Sequence, residues 1–385
     1  MMTTPTDEIP GSDNGEHHHV RETLRRTSND SKSSFSSPGG EGVFLVRRLS
    51  KVKMSAAVCF WVALCFLVLH DSIYPSAPYS VGILSSPAIG DTPSDDDHEL
   101  SKVLRRASTL TTSRGSSIPS KTVILTTLNS AWAEPGSILD LFLESFRAGN
   151  GTQQLMDNLV IVSLDRKAHQ RCRAIHRHCY ALATPGVNFT GDAFFMTDEY
   201  LLMMWRRIDF MASVLRLGYD FVFTDADILW FRTPFPQFHQ DADFQIACDT
   251  YLGSASDRHN IPNGGFVYAR SNHRTLHFYK YWYNSRDRFP GKHDQDVFNE
   301  IKFDPFLDAL QIKFLDTAYF GGFCQPVKDL NVAITMHANC CVGLQTKVHD
   351  LRNVLDDWKR FAKFPMEERS GVSFDWRSPR VRCRG

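Results

Sequence analysis

Between residues 121 and 361, short apolar runs alternate with stretches whose apolar residues recur every three or four positions. A short run of aromatic and β-branched residues closed by turn residues reads as a strand buried on both faces, and a 3.6-residue spacing reads as a helix. Thr122-Val123-Ile124-Leu125-Thr126-Thr127 predicts the first strand, and the polar Leu128-Asn129-Ser130 predicts a turn after it. Helical spacing over 138–146 follows, then a strand over 159–163 and helices over 168–180 and 200–217. The last of these carries Leu201, Met204, Ile208, Met211, Ala212 and Leu215 on one face, and leads through Gly218 into Phe221-Val222-Phe223. Alternation of this kind implies a parallel sheet covered on both faces, with ligands at the C-terminal ends of its strands.

After Pro236 the order changes. Strands are predicted over 244–248, 261–269 and 311–314, an aromatic helix over 277–284, and a helix over 297–301 opened by Asp294-Gln295-Asp296. Gly321-Gly322 reads as a loop, Ala333-Ile334-Thr335-Met336 as an apolar run ending on His337, and 348–361 as a helix. The fold class expected is α/β, with a mixed, mostly parallel central sheet covered by helices. The domain is placed at 121–365, and the basic tail at 366–385 receives no element.

The segments before the domain differ in kind. Residues 1–50, rich in Ser, Thr, Gly, Pro and charge, bury too little apolar surface to offset ordering entropy and are expected to be disordered, with His17-His18-His19 solvated. Arg47, Arg48, Lys51 and Lys53 precede an uncharged stretch at 54–69. Basic residues on its N-terminal side predict a cytoplasmic N-terminus and a single-pass signal anchor over 54–70. A cleaved signal peptide and a buried soluble helix are the rival readings. Residues 71–120, with five prolines between Pro75 and Pro119 and the Asp95-Asp96-Asp97 run, read as a lumenal stem, in which Leu100–Leu104 begins a short helix.

The densest chemistry follows the strand at Phe221. It gives out at Asp225-Ala226-Asp227, and a second apolar run ends at Pro234. Two carboxylates at the end of a buried strand are costly unless something pairs with them, and a hard divalent cation suits them and can also hold a diphosphate. A solvated acidic turn is the plain alternative.

The whole run resembles the metal-binding motif of GT-A-type nucleotide-sugar glycosyltransferases, and most closely the plant nucleotide-diphospho-sugar transferases of glycosyltransferase family 77, which include arabinosyl- and xylosyltransferases. The resemblance covers roughly residues 121–358. It implies that Asp225 and Asp227 bind metal, with Asp225 shared with the nucleotide, and that His337 is the third protein ligand. Asn263-Gly264-Gly265 resembles the acceptor-side loop; a Gly-Gly hairpin turn reads equally well. Asp294-Gln295-Asp296 resembles the element that contacts the transferred sugar, and an acidic helix start is its other reading. Thr126, Thr127 and Asn129 lie at a strand end where nucleotide binds, with Ala226 between the two acids. Arg207, or its neighbour Arg206, faces the nucleotide or diphosphate if it does not lie on a solvated helix face. Lys347 corresponds to a diphosphate contact, although His337, Gly343 and Lys347 are spaced more widely than in related retaining transferases.

Lysine plus arginine and aspartate plus glutamate are equal at 43 each, so no basic field argues for a nucleic-acid partner. Beyond the anchor, which holds Cys59 and Cys65, seven cysteines remain, so at least one is unpaired within a monomer. Cys172 and Cys179 are near enough to close a local loop, but pairing is not readable from spacing. Asn150-Gly-Thr and Asn188-Phe-Thr are sequons with a lumenal address. The resemblance implies a Golgi type II enzyme, Mn²⁺- or Mg²⁺-dependent, that moves a pentose from a UDP-sugar to a cell-wall glycan or glycoprotein with retention. Oligomerisation is left open. A catalytically silent membrane-anchored partner of an active transferase is the rival.

Overall fold

The computed structural model describes residues 95–109, 118–182, 184, 189, 196–369, 376 and 382–383. The expected disordered segment 1–50, the anchor 54–70, most of the stem and Asn188 lie outside the described residues. Among those described, no helix is long and apolar enough to cross a membrane.

In chain order, helix α1 (Asp95–Thr109) precedes strand β1 (Thr122–Leu128), and α2 (Ser130–Ala133) and α3 (Ile138–Ala148) follow it. Next come β2 (Leu159–Ser163), α4 (Arg166–Ile175), β3 (Cys179–Ala181), α5 (Asp198–Arg216) and β4 (Asp220–Thr224). The second half holds β5 (Ile228–Trp230), β6 (Phe244–Thr250), β7 (Ile261–Ala269), α6 (His273–Ser285) and α7 (Asp294–Ile301). It ends with β8 (Ile312–Phe314), β9 (Phe320–Gly322), β10 (Thr335–His337), α8 (Leu344–Ala362) and α9 (Met366–Arg369).

The main sheet has the order β3-β2-β1-β4-β7-β6-β8. β3, β2, β1 and β4 are mutually parallel, β7 runs against both its neighbours, and β6 and β8 are parallel. The expected mixed, mostly parallel sheet is therefore the sheet observed. Alternation along the strands feeds two cores. Ile124, Ile161 and Val222 pack on the side of α3 and α8, while Val123, Leu125, Val160, Phe221 and Phe223 pack on the side of α1, α5 and α6. The chain runs outward from β1 through β2 to β3 and returns to β4 on the other side of β1, so a crevice opens between the ends of β1 and β4. A small sheet, β5-β10-β9, stands beside that crevice.

Four expectations change. The stem reading fails over α1: Leu100, Leu104 and Ala107 are buried with Val123 and Val160, and Asn158 Nδ2 donates to the Ala107 carbonyl at 3.1 Å. Apolar residues at i, i+4 and i+7 form a narrow stripe on an otherwise polar helix, enough to dock it. The helix expected over 168–180 stops at Ile175, where His176 turns extended and its Nε2 lies 2.7 Å from the Leu159 carbonyl, and the chain continues as edge strand β3. Gly321 and Gly322 lie in a strand, paired in register with Met336 and His337 of β10, and position 322 needs glycine because a Cβ there would sit 2.3 Å from Asn339 Oδ1. The described residues of the C-terminal tail are bound to the domain: Trp376 Nε1 donates to the Val327 carbonyl at 2.7 Å, and the Arg382 and Cys383 amides to Asp350, each at 2.9 Å.

Disulfides join Cys172 to Cys179, Cys324 to Cys340 and Cys341 to Cys383. Cys248 is buried and free among the described residues, which accounts for the odd count.

Candidate functional site

The hydrophobic run of β4 carries the chain to Asp225, whose amide donates to the Gly265 carbonyl of β7 at 2.7 Å. Asp227 accepts the Ala338 amide on its own carbonyl at 3.1 Å. The turn is therefore held on both sides, by β7 and by the residue after β10. β10 pairs antiparallel with β5, opposing His337 to Ile228. That register brings His337 Nε2 to 3.2 Å from Asp227 Oδ1 and 4.0 Å from Asp225 Oδ2. One ligand atom from each of the three residues lies within 4.8 Å of the others.

These residues fit a hard divalent ion on two observations. Asp227 Oδ1 is buried and accepts no well-aligned hydrogen bond in this arrangement. Gly265 keeps the centre open, because a Cβ there would lie 2.6 Å from both Asp225 Oδ2 and His337 Cε1. Two carboxylates and one imidazole suit Mg²⁺ or Mn²⁺, which take oxygen and tolerate nitrogen donors.

Cations flank the acids. Lys347, in the first turn of α8, reaches Asp227 Oδ2 at 2.6 Å. The wide spacing from His337 is taken up by the loop holding Cys340, at φ 50°, and Gly343, whose φ of 93° suits glycine and starts α8. Arg207 of α5 is buried and spans Asp225 Oδ1 at 2.9 Å and Asp294 Oδ2 at 2.5 Å. Burial would raise both acids of the turn. It does raise Asp225, which also feels Asp227, whereas Lys347 and His337 hold Asp227 well below the ordinary carboxylate range. Asp294 is buried too, yet Arg207 and His293 hold it at about 2. Arg207, between two carboxylates, is kept protonated.

A cavity of about 400 Å³ opens on these groups. It is lined by Thr127, Asn129, Arg207, Ala226, Asn263 and Gly265, together with the metal candidates, Asp294, Gln295 and Lys347. Asn129 also caps α2 by accepting the Trp132 amide at 3.2 Å. Gly264 touches the site through its amide, which donates to Gln295 Oε1 at 2.9 Å. Gly264 is not itself among the lining residues, and two further expected residues do not reach the cavity. Thr126 is fully buried inside β1, because alternation turns it away from Thr127 into the core side of Ile124 and Leu128. Asp296 sits two positions along α7 from Asp294, about 200° around the helix, half-exposed and 3.6 Å from His293 Nε2. Arg206 likewise faces outward, paired with Asp209.

Among the lining residues that were not anticipated are the polar Tyr200, Asp249, His293 and Asn339. His293 caps α7 by accepting the Gln295 amide at 3.1 Å. Asp249 ends β6, and no motif marks it; only its place at a strand end offered a signal.

The sequence model of the nucleotide-diphospho-sugar transferases matches residues 154–351, which include β4, the Asp225–Asp227 turn, α7, β10 and Lys347. The chain belongs to the nucleotide-diphospho-sugar transferase family. An uncharacterized protein of Arabidopsis thaliana is 48% identical to this transferase over 288 residues, 74% of each chain. A second one is 38% identical over 270 residues, 68% of this chain and 79% of the relative. Among solved structures, the galactosyltransferase LgtC in complex with donor and acceptor sugar analogs overlaps 65% of this chain and 99% of its own, at 13% identity and a TM-score of 0.40. Mouse xyloside xylosyltransferase 1 overlaps 58% and 99%, at 14% identity and a TM-score of 0.35. At those scores the two likenesses add nothing to the family assignment of this transferase.

Proposed function

We propose that this family member is an active, metal-dependent glycosyltransferase that takes its sugar from a UDP-sugar and passes it to a glycan or glycoprotein hydroxyl. The observation that carries the reading is the convergence of Asp225, Asp227 and His337 within 4.8 Å at the mouth of a cavity that also holds two cations. Asp225, Asp227 and Asp294 set three carboxylates against Arg207 and Lys347, leaving one negative charge in excess before any ion binds.

When bound, Mn²⁺ or Mg²⁺ supplies Lewis-acid neutralisation of a diphosphate leaving group. Asp227 and His337 would hold the ion, and Asp225 would share it with the nucleotide. Lys347, on the opposite side of Asp227, is placed to turn its ammonium toward diphosphate oxygens. Asp294 and Gln295 line the wall where positive charge develops on the sugar, and an ionised Asp294 favours that charge electrostatically. Asp296 takes no part. Arg207 holds Asp225 and Asp294 in register, tying the nucleotide end of the site to the sugar end. Among the described residues, no nucleophilic carboxylate stands in the cavity without partners, so front-face displacement is the proposed route. The anomeric C–O bond to diphosphate breaks, the acceptor oxygen bonds on the same face, and its proton passes to the departing diphosphate.

A pentose donor, a cell-wall acceptor, Golgi residence and the signal anchor at 54–70 belong to the same proposal. They are supported by the family's arabinosyl and xylosyl habits, the basic cluster before residue 54 and the exposed Asn150 of the first sequon. The test is a screen of UDP-arabinose, UDP-xylose, UDP-galactose and UDP-glucose for Mn²⁺-dependent hydrolysis by the purified protein. Turnover of one donor, abolished by chelation and restored by Mn²⁺, is expected. UDP binding without turnover of any donor would favour the silent-partner reading.

A further inference from the structure

Beside the acid cluster, one wall of the cavity is built around a further carboxylate. Asp249 Oδ1 accepts Asn263 Nδ2 at 2.8 Å and Asn339 Nδ2 at 2.7 Å, and its Oδ2 accepts Gln295 Nε2 at 3.1 Å. The three amides come from β7, from the residues after β10 and from α7. Their oxygens are equally engaged. Asn263 Oδ1 accepts the Gly265 amide at 2.9 Å, Gln295 Oε1 the Gly264 amide at 2.9 Å, and Asn339 Oδ1 the Cys324 amide at 3.1 Å. An ionised carboxylate only accepts and a backbone N–H only donates, so neither end of any amide can be exchanged. Asp249, Asn263, Gln295 and Asn339 all line the cavity. Each amide nitrogen gives one hydrogen to Asp249 and retains a second.

We infer that Asp249 is a positioning residue that fixes three amide donors in one orientation as the wall that recognises the hydroxyls of a neutral sugar ring. It acts through Asn263, Gln295 and Asn339. The inference rests on the transferase reading, and it assigns recognition of the polyhydroxylated part to amides that adjoin the metal candidates without being among them, since Asn263 Oδ1 lies with Asp225 Oδ2 and His337 Cε1 around Gly265. Fixed amide N–H donors suit such recognition because a hydroxyl oxygen can accept from them, and they place no further charge of their own beside a sugar that becomes cationic in transfer.

Asp249→Asn keeps the size and tests the direction of every bond. Its one oxygen can still receive Asn263 and Asn339, but its new NH₂ meets the NH₂ of Gln295. If the Gln295 amide turns over, its NH₂ meets the Gly264 N–H instead. Gln295→Glu alone sets two carboxylates against each other. The double variant Asp249→Asn/Gln295→Glu satisfies every group again. The new amide at position 249 then donates to the new carboxylate at position 295, which still accepts from Gly264.

The experiment measures thermal stability of the four proteins, UDP affinity with Mn²⁺, and kcat and KM for Mn²⁺-dependent hydrolysis of the UDP-sugars above. Expected are a lower Tm in each single variant and a double variant that loses less than the sum. In Asp249→Asn, kcat should fall at least about tenfold while UDP affinity stays within about threefold. Additive Tm losses, unchanged kcat in Asp249→Asn, or UDP affinity falling in step with kcat would overturn the inference. Failure of the wild-type protein to bind UDP would contradict the transferase reading instead, and the Tm cycle, which needs no nucleotide, would still decide for or against the Asp249 hub.

Discussion

The cavity has two ends, and they are satisfied to different degrees. At the acid end, Asp227 Oδ1 is buried and has only the His337 ring nitrogen, 3.2 Å away and without a well-aligned hydrogen bond, a negative charge is in excess, and Gly265 leaves space where a side chain would lie. At the amide end, Asp249 receives three N–H groups and every amide oxygen has a backbone donor. Buried polar groups are normally paired, and those that are not mark strain or a missing ion. The contrast therefore separates two roles, an open end that awaits incoming charge and a closed end that keeps a shape. Arg207 joins the acid end to the wall by contacting both Asp225 and Asp294.

The largest expected loss comes from cutting that link. Arg207→Leu leaves the buried Asp294 and the part-exposed Asp225 without their cation, and breaking a buried ion pair such as Arg207–Asp294 from one side costs about 3–5 kcal/mol. Denaturant unfolding should show a loss of that order, with Arg207→Lys intermediate. A loss under about 1 kcal/mol would mean that the pair is not the joint described. Asp227→Asn comes next: it should leave the fold intact and lower donor turnover by roughly 100-fold or more, several kcal/mol of transition-state stabilisation. Turnover within threefold of wild type would remove Asp227 from the acid end's chemistry.

Two glycines sharpen the contrast. A Cβ at Gly265 would meet Asp225 and His337, and one at Gly322 would meet Asn339. Gly265→Ala should weaken the Mn²⁺ dependence of UDP binding about tenfold or more, in the range seen when metal-site surroundings are altered. Gly322→Ala should spare UDP binding and reduce turnover. If both variants lose UDP binding equally, the two ends do not act separately.

The smallest effect is a pH dependence. Asp294 has a native value of about 2 against an ordinary 3.8. A depressed carboxylate adds stability that is full above the unfolded value and is lost as pH falls through the native one. Stability should therefore drop between about pH 4 and pH 2, and the corresponding curve of Asp294→Asn should be flatter there, by roughly 1–2 kcal/mol. Parallel curves would detach Asp294 from Arg207.

What could be read from the chain follows the same division. Phe221–Asp227 announced itself, because a buried strand that ends in two acids is chemically conspicuous, and His337 stood at the end of an apolar run. Asp249 did not, since its partners Asn263, Gln295 and Asn339 lie 14, 46 and 90 residues away and only the sheet order assembles them. Thr126 and Asp296 were misplaced for a local reason: adjacent strand residues face opposite ways, and helix residues two apart lie on nearly opposite sides. Helix α1 was read only as a short helix from Leu100 within a stem; its docking was hidden by composition, its stripe of Leu100, Leu104 and Ala107 set among acids, lysine and arginines. Lys347 was obscured by its spacing, which the loop through Cys340 and Gly343 absorbs.

Everything proposed for the acid end depends on its binding a nucleoside diphosphate through a divalent ion. Calorimetric titration of the wild-type protein with UDP, in the presence of Mn²⁺ and after chelation, reads this without intermediate steps. One UDP site is expected, with an affinity that drops at least about tenfold when Mn²⁺ is removed and with Asp227→Asn behaving like the chelated wild type. UDP binding of equal affinity with and without Mn²⁺, unchanged in Asp227→Asn, would contradict it.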